Sequence, residues 1–243
     1  MTPLFKKIHL WLSLPFGILF SVTCLTGAML VFEKEITRAV THETAQYEVR
    51  QESAAPHGGH GEAAAAVQKP TNKHGQRLPF FQTVLKIHRW LLDAPKNRGE
   101  ITAGKVIVGI STLMMVFVLI SGIVIWVPKN AAQLKNRLKV SLHKGWPRFI
   151  YDSHVSLGIY VAIFLLIMAI TGLTWSSPLF RKGFVALFEG VVGADNMRGF
   201  IYSLHTGSWG GIVTKIIYFI CALIGGLLPW TGYYLWIKKL KKH

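Results

Sequence analysis

The stretch that decides the fold is residues 10–32, LWLSLPFGILFSVTCLTGAMLVF, which contains no charged side chain. An α-helix rises about 1.5 Å per residue, so roughly 20 apolar residues are needed to cross the hydrocarbon layer of a membrane. No water is present in that layer to pair the backbone, and a single run of residues can satisfy its own backbone only as a helix. The stretch therefore predicts a membrane-spanning helix.

Three more windows of similar length also lack charged side chains, namely residues 106–127, 155–177 and 216–237. The four windows together predict an all-α membrane protein, a single domain (1–243) with transmembrane spans at about 10–32, 106–127, 155–177 and 216–237. Four buried helices of a soluble protein are the alternative. The first window follows two lysines, as in a signal peptide, but it is too long for one and Phe32-Glu33-Lys34 is a poor cleavage context, which favours a retained helix.

The net charge of +16 is unevenly distributed along the chain. Basic residues without acidic neighbours occupy the start of the chain, the basic loop 128–150 and the end of the chain. The positive-inside rule then predicts that both termini and the 128–150 loop are cytoplasmic. Because orientation in the bilayer accounts for the basic excess, the expected partner is lipid and a nucleic acid is not expected.

The loop at residues 33–100 is expected on the periplasmic side. Residues 33–50 would extend the first helix or pair as a strand, and the His/Gly/Ala-rich segment 51–79 has the low complexity of a mobile segment. Residues 80–92 have the pattern of an amphipathic helix at the membrane interface. Residues 181–190 show the same pattern, with Phe184, Leu187 and Phe188 on one face.

Motifs recur along the chain and predict two helical hairpins related by a pseudo-twofold axis along the membrane normal. In the odd-numbered spans, a histidine is followed at equal spacing by a Thr-Gly pair. In the even-numbered spans, a Ser-Gly or Thr-Gly pair is followed by a tryptophan. The four pairs are Thr26-Gly27, Ser121-Gly122, Thr171-Gly172 and Thr231-Gly232. Small residues allow helices to approach closely, so these pairs are interpreted as packing residues.

One histidine is associated with the entrance of each span. His9 and His154 lie at the predicted cytoplasmic side, and His88 and His205 lie at the outer side. Imidazole is a good axial ligand for haem iron, and two facing helices can each supply one. The pattern therefore predicts two haem b groups, although a single interfacial histidine can also act as an anchor or a hydrogen-bonding group. His143 is an alternative inner ligand.

Residues near these histidines suit a porphyrin. Ser13 and Gly158 lie one helical turn after His9 and His154 and would leave room beside them. Cations that could bind the haem propionates are present near both predicted sites. They are Arg148 with Lys6 or Lys7 on the inner side, and Arg89 or Arg198 on the outer side.

Other candidate sites are weaker. His57 and His60 in the outer loop could bind a transition metal loosely. There is no GxGxxG, Walker or HExxH motif, so an electron donor would be a quinol or a separate cytoplasmic reductase. The spans lack the acidic and basic side chains typical of transporters. A haem-free scaffold or accessory subunit for metal or siderophore uptake, and a metal transporter, remain alternative functions.

Several motifs in these segments resemble the PepSY-associated transmembrane family. The resemblance spans all four helices in order. It is carried by the segments HLWL (9–12), IHRWLL (87–92), SGIVIWVPK (121–129), DSHVSLG (152–158) and LHTG (204–207), with Gly210 and Gly211.

The resemblance implies a function. The family includes iron-regulated inner-membrane proteins and haem-containing ferrisiderophore reductases of bacteria, so it implies that His9, His88, His154 and His205 ligate haem. It also implies that a ferric siderophore or another ferric chelate is reduced on the periplasmic side, by electron transfer that needs no catalytic residue beyond haem. Larger members carry a folded PepSY-type domain between the first two helices. Here that region is short, so the substrate surface would come from residues 80–104 and 178–212.

Overall fold

A computed structural model of the protein describes residues 2–41, 77–97 and 99–241. The elements in chain order are α1 (Thr2–Val31), α2 (Pro79–Trp90), α3 (Ala103–Trp126), α4 (Ala131–Arg137), α5 (Trp146–Ser176), α6 (Pro178–Val192), α7 (Met197–Thr206), a 3₁₀ turn (Ser208–Gly210) and α8 (Gly211–Leu240). After a turn at Phe32, residues 33–41 are again helical. The described residues contain no strand, so the predicted all-α class is confirmed.

Four helices are long and apolar enough to cross a membrane: Pro3–Val31, Ala103–Trp126, Trp146–Ser176 and Ser208–Leu240. Each begins before one predicted span; the first three end one residue before the last residue of that span, and the fourth contains its span completely. The four-helix prediction is therefore confirmed. Large apolar side chains such as Trp11, Phe117 and Ile163 are exposed on these helices, as expected for faces that contact lipid.

The spanning helices form a bundle in which each packs mainly against two others. α1 contacts α3 and α8, and α5 contacts the same two helices. Buried apolar side chains from all four helices fill the centre; they are Phe20, Cys24, Met115, Val161, Leu165, Ala169 and Cys221. Both cysteines are free thiols. The end of the bundle that contains His9 and His154 is called the His9 end, and the opposite one, with His88 and His205, the His88 end.

Three short helices lie at the His88 end. α2 covers the predicted segment 80–92 except for its last two residues, and α6 covers the predicted segment 181–190. α7 was not predicted. Phe184 of α6 is buried against Met197 and Ile201 of α7. Leu187, which was predicted to share the face of Phe184, is 77 % exposed and does not belong to this cluster.

The junction between α2 and α3 fixes the position of His88. α2 ends at Leu91 and Leu92, whose φ angles of 50° and 73° are rare for residues other than glycine. This tight turn is held by Asp93, whose side chain accepts from the backbone N–H of Gly104 at 2.9 Å, while the Thr102 hydroxyl donates to the Asp93 carbonyl at 2.7 Å. The end of α2 is thereby tied directly to the start of α3.

A methyl group at Gly104 should disrupt this junction, because its Cβ would overlap the carbonyl oxygen of Trp90 and approach the Asp93 side chain. We expect Gly104→Ala to destabilise the protein by about 1–3 kcal/mol, measured as a lower Tm in detergent. Gly183→Ala in α6 is the matched control, because nothing lies within 4 Å of a Cβ there and alanine favours helix. Equal Tm values for the two variants would show that the junction is not tightly packed.

Candidate functional site

The four histidines of the repeat come together as two pairs. The rings of His9 and His154 have centroids 6.3 Å apart and planes inclined at 85°. The rings of His88 and His205 have centroids 6.1 Å apart and planes inclined at 61°. The structure thus places one pair at each end of the bundle. Each pair joins one histidine from the first predicted hairpin to one from the second.

Each ring is held by a hydrogen bond from Nδ1 to a hydroxyl on another helix. His9 Nδ1 lies 3.2 Å from the Ser121 hydroxyl, and His154 Nδ1 lies 2.7 Å from that of Thr231. At the other end, both Nδ1–hydroxyl distances are 3.1 Å, to Thr26 from His88 and to Thr171 from His205. In three cases Nδ1 also donates to a carbonyl at 2.9–3.0 Å; these carbonyls belong to Val118, Thr23 and Met168.

These contacts determine which ring nitrogen carries the proton. A carbonyl oxygen can only accept, so three of the Nδ1 atoms must be donors. For His154, the Thr231 hydroxyl lies 2.7 Å from the Leu228 carbonyl of its own helix. The hydroxyls at the other three sites donate to such a carbonyl, and the same arrangement here leaves the Thr231 oxygen to accept from the imidazole. The proton therefore lies on Nδ1 in all four rings. The Nε2 atoms keep their lone pairs and have no hydrogen-bond partner among the described residues.

The glycine after each hydroxyl residue makes room for the ring. A Cβ at Gly27, Gly122, Gly172 or Gly232 would lie 3.1–3.6 Å from Cε1 of the histidine that docks there. The Ser-Gly and Thr-Gly pairs were interpreted as packing residues from the sequence. The structure adds a second role, because the hydroxyl binds the imidazole and the glycine lets it approach.

The chemistry of the donor set suits a metal ion between two imidazoles. A metal–imidazole bond is about 2 Å long and each ring centroid lies about 1 Å behind its nitrogen, so two ligands on opposite sides of one ion have centroids about 6 Å apart. Both pairs have this separation. The described residues contain no group of three or more His, Cys, Asp or Glu side chains that could hold a metal ion.

Burial keeps the histidines at the His88 end neutral. It lowers the pKa of His88 to about 4 and that of His205 to about 3. The carbonyls that accept from these rings act in the opposite direction, but more weakly. Neutral imidazole is the form that ligates metal ions, so both rings are available as ligands at physiological pH.

A cavity of ≈ 370 Å³ reaches from the His88 pair to the surface of the bundle. Its inner wall includes buried residues such as Leu165 and Ala169, and Trp175 contacts the His205 ring at 4.8 Å between centroids. Cofactor sites usually occupy 300–1,000 Å³, so the cavity is large enough for an organic group. Its lining also includes four cationic side chains, those of Arg77, Arg89, Lys105 and Arg198. Arg89 and Arg198 were predicted from the sequence, whereas Arg77 and Lys105 were not.

The residues that were predicted to bind or make room for a haem at the His9 end differ from one another in burial and in their contacts. Arg148 makes an ion pair of 2.9 Å with the buried Asp152, and Lys6 and Lys7 are exposed. A Cβ at Gly158 would have nothing within 4 Å, which leaves open space at that position. The Ser13 hydroxyl donates to the Leu10 carbonyl of its own helix at 3.1 Å.

Two further residues at the His9 end are Trp126 and His143, of which His143 was predicted as an alternative ligand. Trp126 lies one helical turn beyond Gly122, and its buried Nε1 has no hydrogen-bond partner among the residues described. It is thus a donor without an acceptor near the His9 pair. His143 is exposed and is not part of either pair. His57 and His60 lie outside the described residues.

A comparison with protein families identifies the family of the chain. The family model for the PepSY-associated TM region matches residues 6–199 and 189–239. The chain belongs to this family. The matched segments include both histidine pairs and all four spans, so the chain is a multi-pass membrane protein of the PepSY-associated TM region family. The searches of curated proteins and of solved structures gave no match.

The protonation state of the His88 pair can be tested directly. In ¹⁵N-histidine-labelled protein without added metal, we expect His88 and His205 to remain neutral at about pH 5.5, because their pKa values of about 4 and 3 lie well below the usual 6.5. Their ¹⁵N shifts should place the proton on Nδ1, with assignments from His88→Ala and His205→Ala. A charged ring, or a proton on Nε2, would contradict the arrangement described above.

Proposed function

We propose that the protein is a dihaem b-type oxidoreductase of the bacterial inner membrane, which passes electrons across the bilayer to a periplasmic ferric chelate such as a ferric siderophore. The observation that carries the proposal is the presence of two histidine pairs at opposite ends of the bundle, each with both Nε2 atoms free. Bound haem would supply one-electron Fe(III)/Fe(II) chemistry at each pair.

The chain's own residues have defined roles in this proposal. His9 with His154, and His88 with His205, would hold the two haems. Ser121, Thr26, Thr171 and Thr231 orient these rings and increase their basicity through Nδ1. At the His88 end, the cations that line the cavity would bind the two propionates and would still leave a net positive charge there. At the His9 end, the open space beside Gly158 and the unpaired Nε1 of Trp126 suit a porphyrin and one of its carboxylates.

The separation of the two pairs supports transfer across the membrane. The His88 ring docks on Thr26 of α1, and His9 lies in the same helix, 17 residues before Thr26. With a rise of about 1.5 Å per residue, the two histidine pairs are separated by roughly 25 Å along the bundle. The positive-inside rule predicts that the His9 end faces the cytoplasm. A quinol or a cytoplasmic reductase would therefore be the donor, and the His88 end would face the acceptor.

The first experiment is an absorption spectrum of the detergent-purified protein, oxidised and then reduced with dithionite, with haem quantified per chain. We expect about two haems with the sharp reduced bands of a bis-histidine cytochrome. His9→Ala and His205→Ala should each remove one, because each deletes an imidazole from a different pair. The control is His143→Ala, which changes an exposed histidine outside both pairs and should keep both haems.

The result separates the proposed function from its alternatives. If protein purified from cells with adequate haem showed no haem bands, the electron-transfer proposal would be contradicted and a scaffold or a transporter would be favoured. Loss of both haems in His143→Ala, with both retained in His9→Ala, would show that the ligands are assigned incorrectly.

The hydroxyls should affect haem binding as well. Thr171→Val removes the hydroxyl that accepts from His205, while the ring and the Met168 carbonyl remain. Loss of such a contact typically lowers metal affinity about 10–100-fold, so haem at the His88 end should pass faster to an excess of a high-affinity acceptor, with a changed midpoint potential.

Thr174→Val is the matched control for this variant. Thr174 is also buried in α5, and its hydroxyl donates to the Thr171 carbonyl at 2.6 Å without contacting a histidine. If Thr174→Val accelerated haem loss as much as Thr171→Val, the effect would come from the packing of α5 and not from the imidazole hydrogen bond.

A further inference from the structure

The mouth of the cavity at the His88 end carries an excess of positive charge. Arg89 and Arg198 are exposed, and Lys105 is half-buried, yet all three line the same cavity as the histidine pair. The charged lining consists of four cations (with Arg77) and one carboxylate, that of Glu33. Four cations less one carboxylate leave a net charge of +3, and two haem propionates would still leave +1.

These cations differ in whether an acidic or aromatic side chain already binds them. Arg77 makes an ion pair with Glu33. The Arg89 guanidinium stacks over the Trp90 ring, with 4.6 Å from its central carbon to the ring centroid, which leaves its N–H donors available. Arg198 and Lys105 form no ion pair within residues 2–41, 77–97 and 99–241. The described part of the chain thus leaves two or three cations without a carboxylate at the cavity mouth.

An uncompensated positive mouth attracts anions and directs them to the cavity. Guanidinium and ammonium groups bind carboxylate and catecholate oxygens through charge-assisted hydrogen bonds. Such oxygens also hold iron(III) in many chelates, and a chelate with more oxygen anions than iron charge is itself an anion. A neutral or cationic chelate would not gain from these contacts.

We infer that the mouth formed by Arg89, Lys105 and Arg198 recognises an anionic ferric chelate whose iron is held by carboxylate or catecholate oxygens. The inference rests on the proposed function and specifies its substrate class. One electron from the cytoplasmic donor reduces the bound Fe(III) to Fe(II). No covalent bond is made and no proton is transferred by the protein, so these side chains have only to bind the anion beside the His88 pair.

The test uses a chelate that cannot be reduced, so that binding is measured without electron transfer. Gallium(III) citrate would be titrated calorimetrically into the full, haem-loaded chain in nanodiscs of neutral lipid. We expect Arg198→Gln and Lys105→Gln each to raise Kd roughly two- to fivefold, the range of exposed charge pairs. Added salt should weaken binding, because charges further apart than about 10 Å are screened at 0.1 M.

Matched controls remove the same charge at the same end of the bundle but outside the cavity. Arg181→Gln on α6 and Lys86→Gln on α2 change exposed cations that do not line it, and we expect them to leave Kd unchanged. Arg198→Lys should restore part of the affinity lost in Arg198→Gln. A cationic gallium trihydroxamate should bind more weakly than the citrate complex.

Each opposite result overturns the inference. Equal affinity for the citrate and trihydroxamate complexes would show that charge does not select the chelate. If Arg198→Gln and Lys105→Gln lost haem and left gallium citrate affinity unchanged, these cations would be propionate ligands only. If phosphatidylglycerol in the nanodiscs abolished the binding, the mouth would be a site for lipid phosphate.

The outcome is distinguishable from failure of the proposed function. Haem content is measured separately on the same samples, and gallium binding does not depend on electron transfer. A protein with two haems and no preference for anionic chelates would keep the oxidoreductase proposal and overturn only the substrate class. A protein without haem that still bound gallium citrate through Arg198 would overturn the oxidoreductase proposal and keep the recognition of an anionic chelate.

Discussion

The rest of the structure depends on the hydrogen bond from each histidine Nδ1 to a hydroxyl on another helix. A buried N–H without an acceptor costs several kcal/mol in an apolar medium, so each imidazole fixes the position of the two elements that it joins. In His9, His88 and His205, Nδ1 also donates to a backbone carbonyl, and that second contact fixes the tautomer and leaves Nε2 free to ligate. Because the glycine that follows the hydroxyl has no Cβ, the ring can approach the helix closely enough to make this contact. The contacts at Nδ1 together therefore determine helix register, protonation and ligand direction.

The bonds also explain why the sites form between the predicted hairpins. Within the first hairpin, His9 of α1 docks on α3 and His88 docks on α1; His154 and His205 make the corresponding contacts in the second. Each hairpin thus holds two rings by its own contacts and presents them to the other hairpin. Neither hairpin holds a complete pair, so both centres require the assembled bundle. A change at one hydroxyl is then expected to affect one end of the bundle and to leave the other end in place.

The sequence predicted the parts of the structure that depend on local composition. Charge-free runs long enough to cross a bilayer gave the four helices, and the repeat gave the four histidines and their grouping by level. It did not predict which helix each histidine docks on, because spacing along one helix contains no information about its neighbour. Ser121 and Thr171 were therefore interpreted as packing residues. Arg77 and Lys105 were missed for the same reason, since the sequence does not show that a residue before α2 and a residue of α3 line the same cavity.

The positive charge at the two ends of the bundle has different causes. The loop at residues 128–150, at the His9 end, has the basic residues that orient a membrane protein, and Arg137 there also donates to the Ile125 carbonyl at the end of α3. The positive-inside rule gives no reason for cations at the His88 end. Arg89 and Arg198 come from different helices yet converge on a single cavity beside a histidine pair. Their convergence costs repulsion between like charges, which an anion bound at the cavity mouth would offset.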